Sequence, residues 1–393
     1  MVQSFPEASP AKWHQAHTTW FFETFVLRPF LAGYRPFREE FRWLFASDYG
    51  TLGVEIPQNK LRACFSRPSL EEVLAFGTHV DQEMERLLAG SIGDEPSRRI
   101  VLGLNHEQQH QELVLTDIKH AFFSNPLRPA YAVPSLAEDP HSSAPKLRWH
   151  SFNGGLIEIG YPLQTADPLD FRFDNETPRH KVFLEPFQIA NRTVTCREYL
   201  EFMADDGYAR SEFWSPEGWE TLKQTDWRAP FYWERDASDE TGWHVYTLRG
   251  WCRLCALLDT PACHISFFEA DAFARWRGCR LPTEAEWECV ANQAPPRGNL
   301  LDTERLHPAT ASGTGVEQLF GDCWEWTTSA YAGYPGYKSF PAALGEYNSK
   351  FMCGQIVARG GSCVTPVNHV RATYRNFFKP PTRWQFTGLR LAT

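Results

Sequence analysis

Apolar residues recur at three- and four-residue spacing through the first third of the chain, which is the pattern of amphipathic helices. Ser9-Pro10 has the form of a helix start with serine as the N-cap, and the positions that follow at helical spacing are Trp13, His17, Trp20, Phe21, Thr24 and Phe25. Ser69 and Glu72 form a capping-box pattern that predicts a helix to about Leu88. The spacing predicts three or four antiparallel helices in a small bundle.

The longest predicted helix covers residues 97–123, which contain a single glycine, Gly103, and no proline. Asn125-Pro126 is expected to end it. Residues three and four apart lie on one face of a helix, so one face combines Leu102, His106, Gln109, His110 and Leu113.

The pattern changes from about Trp149. Short β-like runs, separated by stretches rich in Gly, Pro and Trp, predict strands at Leu156–Ile159, Lys181–Leu184, Gln355–Ala358 and Thr387–Leu391. Two short helices are predicted near Thr195–Met203 and Ser266–Arg277. Residues 124–148 have the composition of a linker. We therefore expect an α+β protein with two domains, 1–148 and 149–393.

Composition narrows the class of protein. A chain of 393 residues can build two cores, and a formal charge of -9 argues against nucleic acid as a partner. There is no apolar run of the length of a membrane span and no signal-peptide pattern at the N-terminus. Ten cysteines in that context are expected to be reduced thiols, so we predict a cytoplasmic protein.

The segment His106-Glu107-Gln108-Gln109-His110 matches H-E-x-x-H, the signature of zinc peptidases, in which Glu107 would be the base. Two histidines one helical turn apart can also bind iron or copper, or can simply lie on a solvated face. The metzincin spacing would place a third ligand at Thr116, which cannot serve. The pattern alone leaves these alternatives open.

Strings in the second domain resemble the formylglycine-generating-enzyme-like (sulfatase-modifying-factor) domain, a variant of the C-type-lectin fold. They are Cys279–Glu288, Gly321–Thr327, Arg359–Ser362 and Gly388–Ala392. The strings Ser9–Glu23 and His106–Glu112 in the first domain resemble a DinB-like helical bundle. This pair of domains resembles the ergothioneine-biosynthesis sulfoxide synthases, also called hercynine oxygenases.

That resemblance implies an Fe(II) cofactor held by His17, His106 and His110, and it favours iron chemistry over a zinc peptidase. His14, three residues before His17, is a competing ligand. It also implies small-molecule partners: hercynine, O2, and cysteine or γ-glutamylcysteine, joined as a sulfoxide. The expected hercynine-binding residues are Gln109, Asn376 and Phe377, with Phe378 as a neighbour. A core aromatic is the competing interpretation of Phe377.

Two positions depart from the family pattern. Related synthases usually carry a Tyr-Tyr pair, one member of which donates a proton and so favours C–S bond formation over thiol dioxygenation. Here Asp48 precedes Tyr49, and a carboxylate normally accepts where a phenol can donate. Relatives that use γ-glutamylcysteine have two arginines three apart, whereas this chain has Asn59 and Arg62. One arginine can bind one carboxylate, which favours cysteine as the donor.

These departures keep other functions open. A related enzyme could use a different donor or acceptor, as in ovothiol-type coupling to histidine, selenoneine-type coupling or thiol dioxygenation. A non-catalytic lectin-fold binding module is an alternative of another class. Cys252-x-x-Cys255 with Cys263-His264 is a weaker pattern for a structural metal.

Overall fold

The computed structural model describes residues 2–47, 58–133, 143–163, 167, 169–339 and 351–393. Its helices are α1 Ala11–Phe22, α2 Arg28–Phe30, α3 Phe41–Leu44, α4 Leu70–Leu88, α5 Asp94–Ser124, α6 Cys196–Ala204, α7 Pro216–Thr225, α8 Phe267–Trp276 and α9 Glu284–Ala291. Its strands are β1 Trp149–Phe152, β2 Gly155–Ile159, β3 His180–Leu184, β4 Phe187–Ala190, β5 Trp233–Arg235, β6 Trp243–Thr247, β7 Gly250–Arg253, β8 Trp324–Ala330, β9 Ile356–Arg359, β10 Asn376–Phe378 and β11 Thr387–Gly388.

Helix α1 packs against both α4 and α5, and this contact organises the helical part of the chain. The predicted capping box begins α4, because the Glu72 N–H donates to Ser69 Oγ and the Ser69 N–H donates to the Glu72 carboxylate. The prediction of Ser9 as the N-cap of α1 is wrong. Pro10 holds that position without a side-chain cap, since the Ser9 hydroxyl accepts a hydrogen bond from Arg62 instead.

Helices α1 and α5 approach each other closely at Gly103. A Cβ atom at this position would lie 2.8 Å from the ring of Phe22 and 3.0 Å from that of Phe21, so only glycine fits without movement of those rings. Helix α5 also begins three residues earlier than predicted, because Pro96 falls in the first turn, where its missing N–H costs nothing. The bundle core is aromatic, with Trp13, Trp20, Phe21, Phe41 and Phe76 buried.

The rest of the chain consists of small sheets joined by long loops. The largest has the strand order β10-β9-β8-β11, with β11 parallel to β8 and the other pairs antiparallel. Two smaller sheets pair β1 with β4 and β2 with β3, and a three-stranded sheet has the order β5-β6-β7. The predicted strand Thr387–Leu391 is shorter than expected. The backbone carbonyls of Leu389 and Leu391 accept hydrogen bonds from the N–H groups of Val194 and Ala190, outside a regular ladder.

Buried charge pairs hold the loops of this second part together. Glu325 receives a two-point ion pair from Arg390 and a 2.9 Å hydrogen bond from the indole of Trp287. Arg375 pairs with both oxygens of Glu284 at 2.9 and 3.0 Å. The glutamates and tryptophans of the recognisable strings are therefore structural contacts, satisfied within the interior.

Helix α5 joins the two parts through one polar face. On that face Asn105 bonds to His369, Gln109 to Tyr374, Glu112 to Trp324, and Lys119 to His264. All four contacts cross from the helical part to the second part. The face of α5 that turns towards α1 carries His106 and His110, so one helix carries both the histidines and the docking surface.

Candidate metal centre

Three buried histidines converge where α1 crosses α5. His17 comes from α1, and His106 and His110 come from successive turns of α5; their ligand atoms all lie within 4.8 Å of one another. The spacing of four residues places the Nε2 atoms of His106 and His110 only 3.2 Å apart. In the part of the chain that the structure describes this is the only such group, so Cys252, Cys255 and the Cys263-His264 pair do not converge as ligands.

The ring of His17 is fixed on both faces and at one edge. It stacks between Trp13 and Trp20, with ring centroids 4.4 and 5.2 Å away and interplanar angles of 15° and 13°. Its Nδ1 lies 2.6 Å from the carbonyl oxygen of Phe45. A carbonyl can only accept, so Nδ1 carries the proton and Nε2 carries the lone pair that a metal needs.

All three imidazoles are held neutral by their surroundings. Burial lowers the pKa of His106 to about 3. Burial, followed by the neighbouring His106, holds the pKa of His17 and of His110 well below the usual range. Neutral imidazole is the form that binds a metal.

The donor set fits a divalent transition metal. Three neutral imidazole nitrogens from two helices form a compact group, which no carboxylate of the described residues joins, and imidazole suits iron, zinc, copper and nickel. A single face of ligands leaves other coordination positions for substrates. The third histidine comes from α1 rather than from a downstream position of the peptidase motif.

Glu107, the base of the peptidase alternative, lies outside this group. It is not among the residues whose ligand atoms lie within 4.8 Å of one another, so the structure does not bring Glu107 together with the three histidines. Burial, followed by the charge of Asp81 on α4, raises the pKa of the Glu107 carboxyl.

Gln109 lies on α5 between the two histidines and points towards the second part of the chain. Its Nε2 donates a 3.0 Å hydrogen bond to the hydroxyl of Tyr374. Its Oε1 is buried and has no hydrogen-bond partner among the described residues. A buried amide oxygen without a donor is costly, so this atom is suited to accept an N–H from a bound molecule.

Arg62 lies close to the histidines, on a short 3₁₀ helix, Asn59–Cys64. Its guanidinium carbon is 3.5 Å from the centre of the Trp13 ring, and its two terminal nitrogens donate to the hydroxyls of Ser9 and Ser47 at 2.7 and 2.8 Å. Its positive charge is one of the smaller causes of the lowered pKa of His17. The structure thus brings a buried cation beside a histidine of the group.

The remaining expected residues lie on β10. The side-chain oxygen of Asn376 accepts from the N–H of Phe377 at 2.9 Å. Phe377 stacks on Tyr331 at 3.9 Å, whereas Phe378 packs edge-on against Trp326 and Trp384 on the other side of the strand. Phe377 also stacks on Phe351, with ring centroids 5.9 Å apart, so much of its ring is already used in packing. Asp48 and Tyr49 lie outside the described residues.

Neither the role of His14 nor that of Asp117 was predicted from the sequence. His14 does not belong to the group of three; its two ring nitrogens contact His110 and Asp117. The available signal was the position of Asp117, seven residues after His110 and therefore on the same face of α5.

No helix in the described ranges combines the length and apolar character needed to cross a membrane.

Comparison with known proteins gives two kinds of match. The family model of the sulfatase-modifying factor enzyme 1-like domain matches residues 149–305 and 302–393. The chain is 32% identical to the hercynine oxygenase of Mycolicibacterium smegmatis over 327 residues, which cover 76% of this chain and 72% of that protein. It is 32% identical to the hercynine oxygenase of Mycobacterium tuberculosis over 330 residues, covering 78% and 73%.

A more distant relative is ergothioneine biosynthesis protein 1 of Schizosaccharomyces pombe, which is 28% identical over 56% of this chain and 27% of its own length. The mycobacterial matches cover 76% and 78% of this chain, which is more than the region 149–393 contains, so they extend into the helical part. The chain therefore belongs to the hercynine oxygenase family, and its second part is a sulfatase-modifying factor enzyme 1-like domain.

Proposed function

We propose that the chain is a sulfoxide synthase of ergothioneine biosynthesis, which joins the sulfur of a small thiol to the imidazole C2 of hercynine. The reaction is hercynine plus thiol plus O2 giving the sulfoxide plus water. A C–H bond and an S–H bond are lost, C–S and S–O bonds form, and O2 takes up the four electrons. The observation that carries the proposal is the buried three-histidine group in a chain of this family.

We propose Fe(II) as the metal, with His17, His106 and His110 as ligands. When bound there, Fe(II) would supply O2 activation and a coordination position for the thiolate. The protein's own contribution is to hold three neutral rings in place. The tryptophans around His17 also keep water away from one side of the centre.

Gln109 is the residue that we expect to orient hercynine. Its buried Oε1 would accept the imidazole N–H, while Tyr374 holds the other end of the amide. Asn376, Phe377 and Phe378 complete the proposed substrate-binding set on β10. An aromatic ring on β10 offers its exposed portion to a quaternary ammonium group, and Phe377 and Phe378 present theirs on opposite sides of the strand.

Arg62 is the residue that we expect to hold the carboxylate of the thiol. Its guanidinium is already oriented by Trp13, Ser9 and Ser47, so little freedom is lost when a carboxylate binds. With Asn59 in place of a second arginine, we propose cysteine as the preferred donor and γ-glutamylcysteine as the weaker one.

Tyr49 and Asp48 are proposed as the catalytic proton-handling pair on the basis of family position. The change Tyr49→Phe removes the phenolic proton, so the product ratio should move from the sulfoxide towards cysteine sulfinate. An unchanged ratio in Tyr49→Phe, together with a changed ratio in Asp48→Asn, would assign the role to Asp48 instead.

The decisive experiment is anaerobic loading with Fe(II), followed by O2-uptake measurements with hercynine and either cysteine or γ-glutamylcysteine. Products are identified by mass. A hercynyl-cysteine sulfoxide is expected, with one O2 consumed per product. Cysteine sulfinate as the sole product would indicate a thiol dioxygenase, and a product formed with histidine rather than hercynine would indicate the ovothiol-type reaction. Failure to bind iron would leave the lectin-fold binding module.

A further inference from the structure

A line of three buried polar side chains runs from the start of α1 to the metal centre. The Oδ2 atom of Asp117 lies 3.0 Å from Nε2 of His14, and Nδ1 of His14 lies 2.7 Å from Nδ1 of His110. The exposed fractions of Asp117, His14 and His110 are 7%, 3% and 8%, so each contact is shielded from water.

The carboxylate of Asp117, at one end of this line, fixes the direction of these hydrogen bonds. Oδ2 of Asp117 also accepts a 2.8 Å bond from the backbone N–H of Ser9, which anchors the carboxylate beside the start of α1. A carboxylate accepts, so Nε2 of His14 carries a proton. In a neutral His14 the other nitrogen, Nδ1, must then be the acceptor, and Nδ1 of His110 must be the donor.

This assignment leaves the lone pair of His110 on Nε2, the atom that faces Nε2 of His106 at 3.2 Å. Both ring nitrogens of His110 therefore have defined roles, one towards the centre and one away from it. His14 contacts the outer nitrogen, which is why it cannot be a fourth ligand beside the inner one.

We propose that His14 and Asp117 are positioning residues of the metal centre, which lock the tautomer and ring orientation of His110 and strengthen it as a donor. Partners that bond to the outer nitrogen of a ligand histidine typically change metal affinity by about 10- to 100-fold when they are removed. The inference rests on the proposed function in one respect, that the three histidines bind a metal.

The three ligand histidines would then differ in the groups that hold their rings in place. His17 is held by a backbone carbonyl and two tryptophans, none of which is charged. Among the described contacts, His110 is linked to a negative charge, that of Asp117, through His14. Loss of that link should weaken binding without removing a ligand atom, which separates a positioning role from ligation.

The test uses the full chain and Co(II) as the probe, because Co(II) reports coordination through its visible spectrum. The variants are His14→Phe, which keeps a ring and removes both nitrogens; His14→Gln, which keeps a donor and an acceptor; and Asp117→Asn, which keeps the shape and removes the charge. His79→Phe is the matched control, since His79 lies on α4 and bonds to Arg35, away from the centre. Co(II) affinity, the visible spectrum and urea unfolding are measured for each.

We expect Co(II) affinity to fall about 10- to 100-fold in His14→Phe and about tenfold in Asp117→Asn. The affinity of His14→Gln should lie between those of wild type and His14→Phe. The spectrum should shift slightly in energy and keep its intensity, and His79→Phe should behave as wild type. Wild-type affinity and spectrum in Asp117→Asn and His14→Phe would overturn the inference, and so would a change of intensity that indicates a lost ligand.

Failure of the proposed function has a different signature. If wild-type protein does not bind Co(II), the three-histidine centre itself is wrong and the positioning role falls with it. If His14→Phe does not fold, Asp117→Asn decides the question, because an asparagine oxygen can still accept from both Ser9 and His14.

Discussion

The indole N–H of Trp324 donates a 2.7 Å hydrogen bond to Glu112, and this contact spans 212 positions of the chain. Glu112 follows the proposed ligand His110 by two residues on α5. Its carboxylate also accepts from Ser362 at 2.8 Å and Thr365 at 2.6 Å, so three donors of the second part converge on it. The helix that carries two proposed ligands is thereby fixed to the sheet of the other part.

Removal of the Glu112 carboxylate should destabilise the protein. Glu112→Ala removes the carboxylate that accepts from three buried donors, and we expect a loss of about 3 kcal/mol in the free energy of unfolding. Glu112→Gln retains one oxygen and should cost about 1 kcal/mol. Urea unfolding followed by tryptophan fluorescence measures both.

Glu107→Gln is the matched comparison on the same helix. Burial and Asp81 raise the pKa of this carboxyl, so its charged form is disfavoured and the amide should be at least as stable as wild type. Oxygen uptake with hercynine and cysteine should also be retained. Loss of activity with normal metal binding would instead assign Glu107 a role as base.

The stability of the metal-free protein should fall as the pH drops below about 6.5. The pKa of His106 is about 3 in the folded protein, so between these two values the unfolded chain binds a proton that the folded chain does not. The stability that neutral His106 contributes to the fold is fully present above pH 6.5 and is lost as the pH falls towards 3. Each such histidine can contribute up to about 1.4 kcal/mol per pH unit.

Urea unfolding of the metal-free protein at pH 7, 6 and 5 measures this dependence. The variant His106→Gln removes one of the protons taken up, so its stability should depend less steeply on pH than that of wild type. Equal slopes for the two proteins would mean that His106 is already charged, or solvated, in the folded state.

Tyr374→Phe should weaken hercynine binding selectively. The hydroxyl of Tyr374 accepts from Gln109, and without it the amide is free to rotate and its oxygen is no longer directed. A neutral hydrogen bond of this kind is worth about 1 kcal/mol, so the KM for hercynine should rise about fivefold. Steady-state kinetics should show an unchanged KM for the thiol. An equal rise in both values would indicate a general disturbance of the site.

Arg62→Lys should act on the other substrate. Lysine keeps the charge and loses the two-point geometry that fits a carboxylate, so the KM for cysteine should rise about tenfold or more while that for hercynine stays constant. Because Arg62 also bonds to Ser9 and Ser47, unfolding in urea serves as the control for stability. A KM for cysteine equal to that of wild type would remove Arg62 from the thiol site.

The local part of this arrangement could be predicted from the sequence. The capping box at Ser69 and the four-residue spacing of His106 and His110 are both short-range features, and the structure has them where they were expected. The assignment of His17 needed the family resemblance, because nothing in spacing links α1 to α5. What joins them is the close approach at Gly103, a tertiary contact.

Long-range polar pairs could not be predicted from the sequence for the same reason. His14 and Asp117 are 103 positions apart, and their partnership exists only once α1 lies against α5. The helices α7 and α9 were missed although both begin at visible caps, Ser215 before a proline and Thr283 three residues before Glu286. The strands β5 to β7 are short and lie among tryptophan-rich turns, where alternation is too brief to be recognised.

The two-faced character of α5 also restricts how the length of this segment can change. Consecutive helical residues are about 100° apart around the axis, so one residue inserted between His110 and Glu112 would rotate the histidines by that angle relative to Glu112 and Lys119, the part of the docking face that follows. Either the metal group or the contact with Trp324 would then be lost. Substitutions can alter each face independently, but an insertion or a deletion here would uncouple the two.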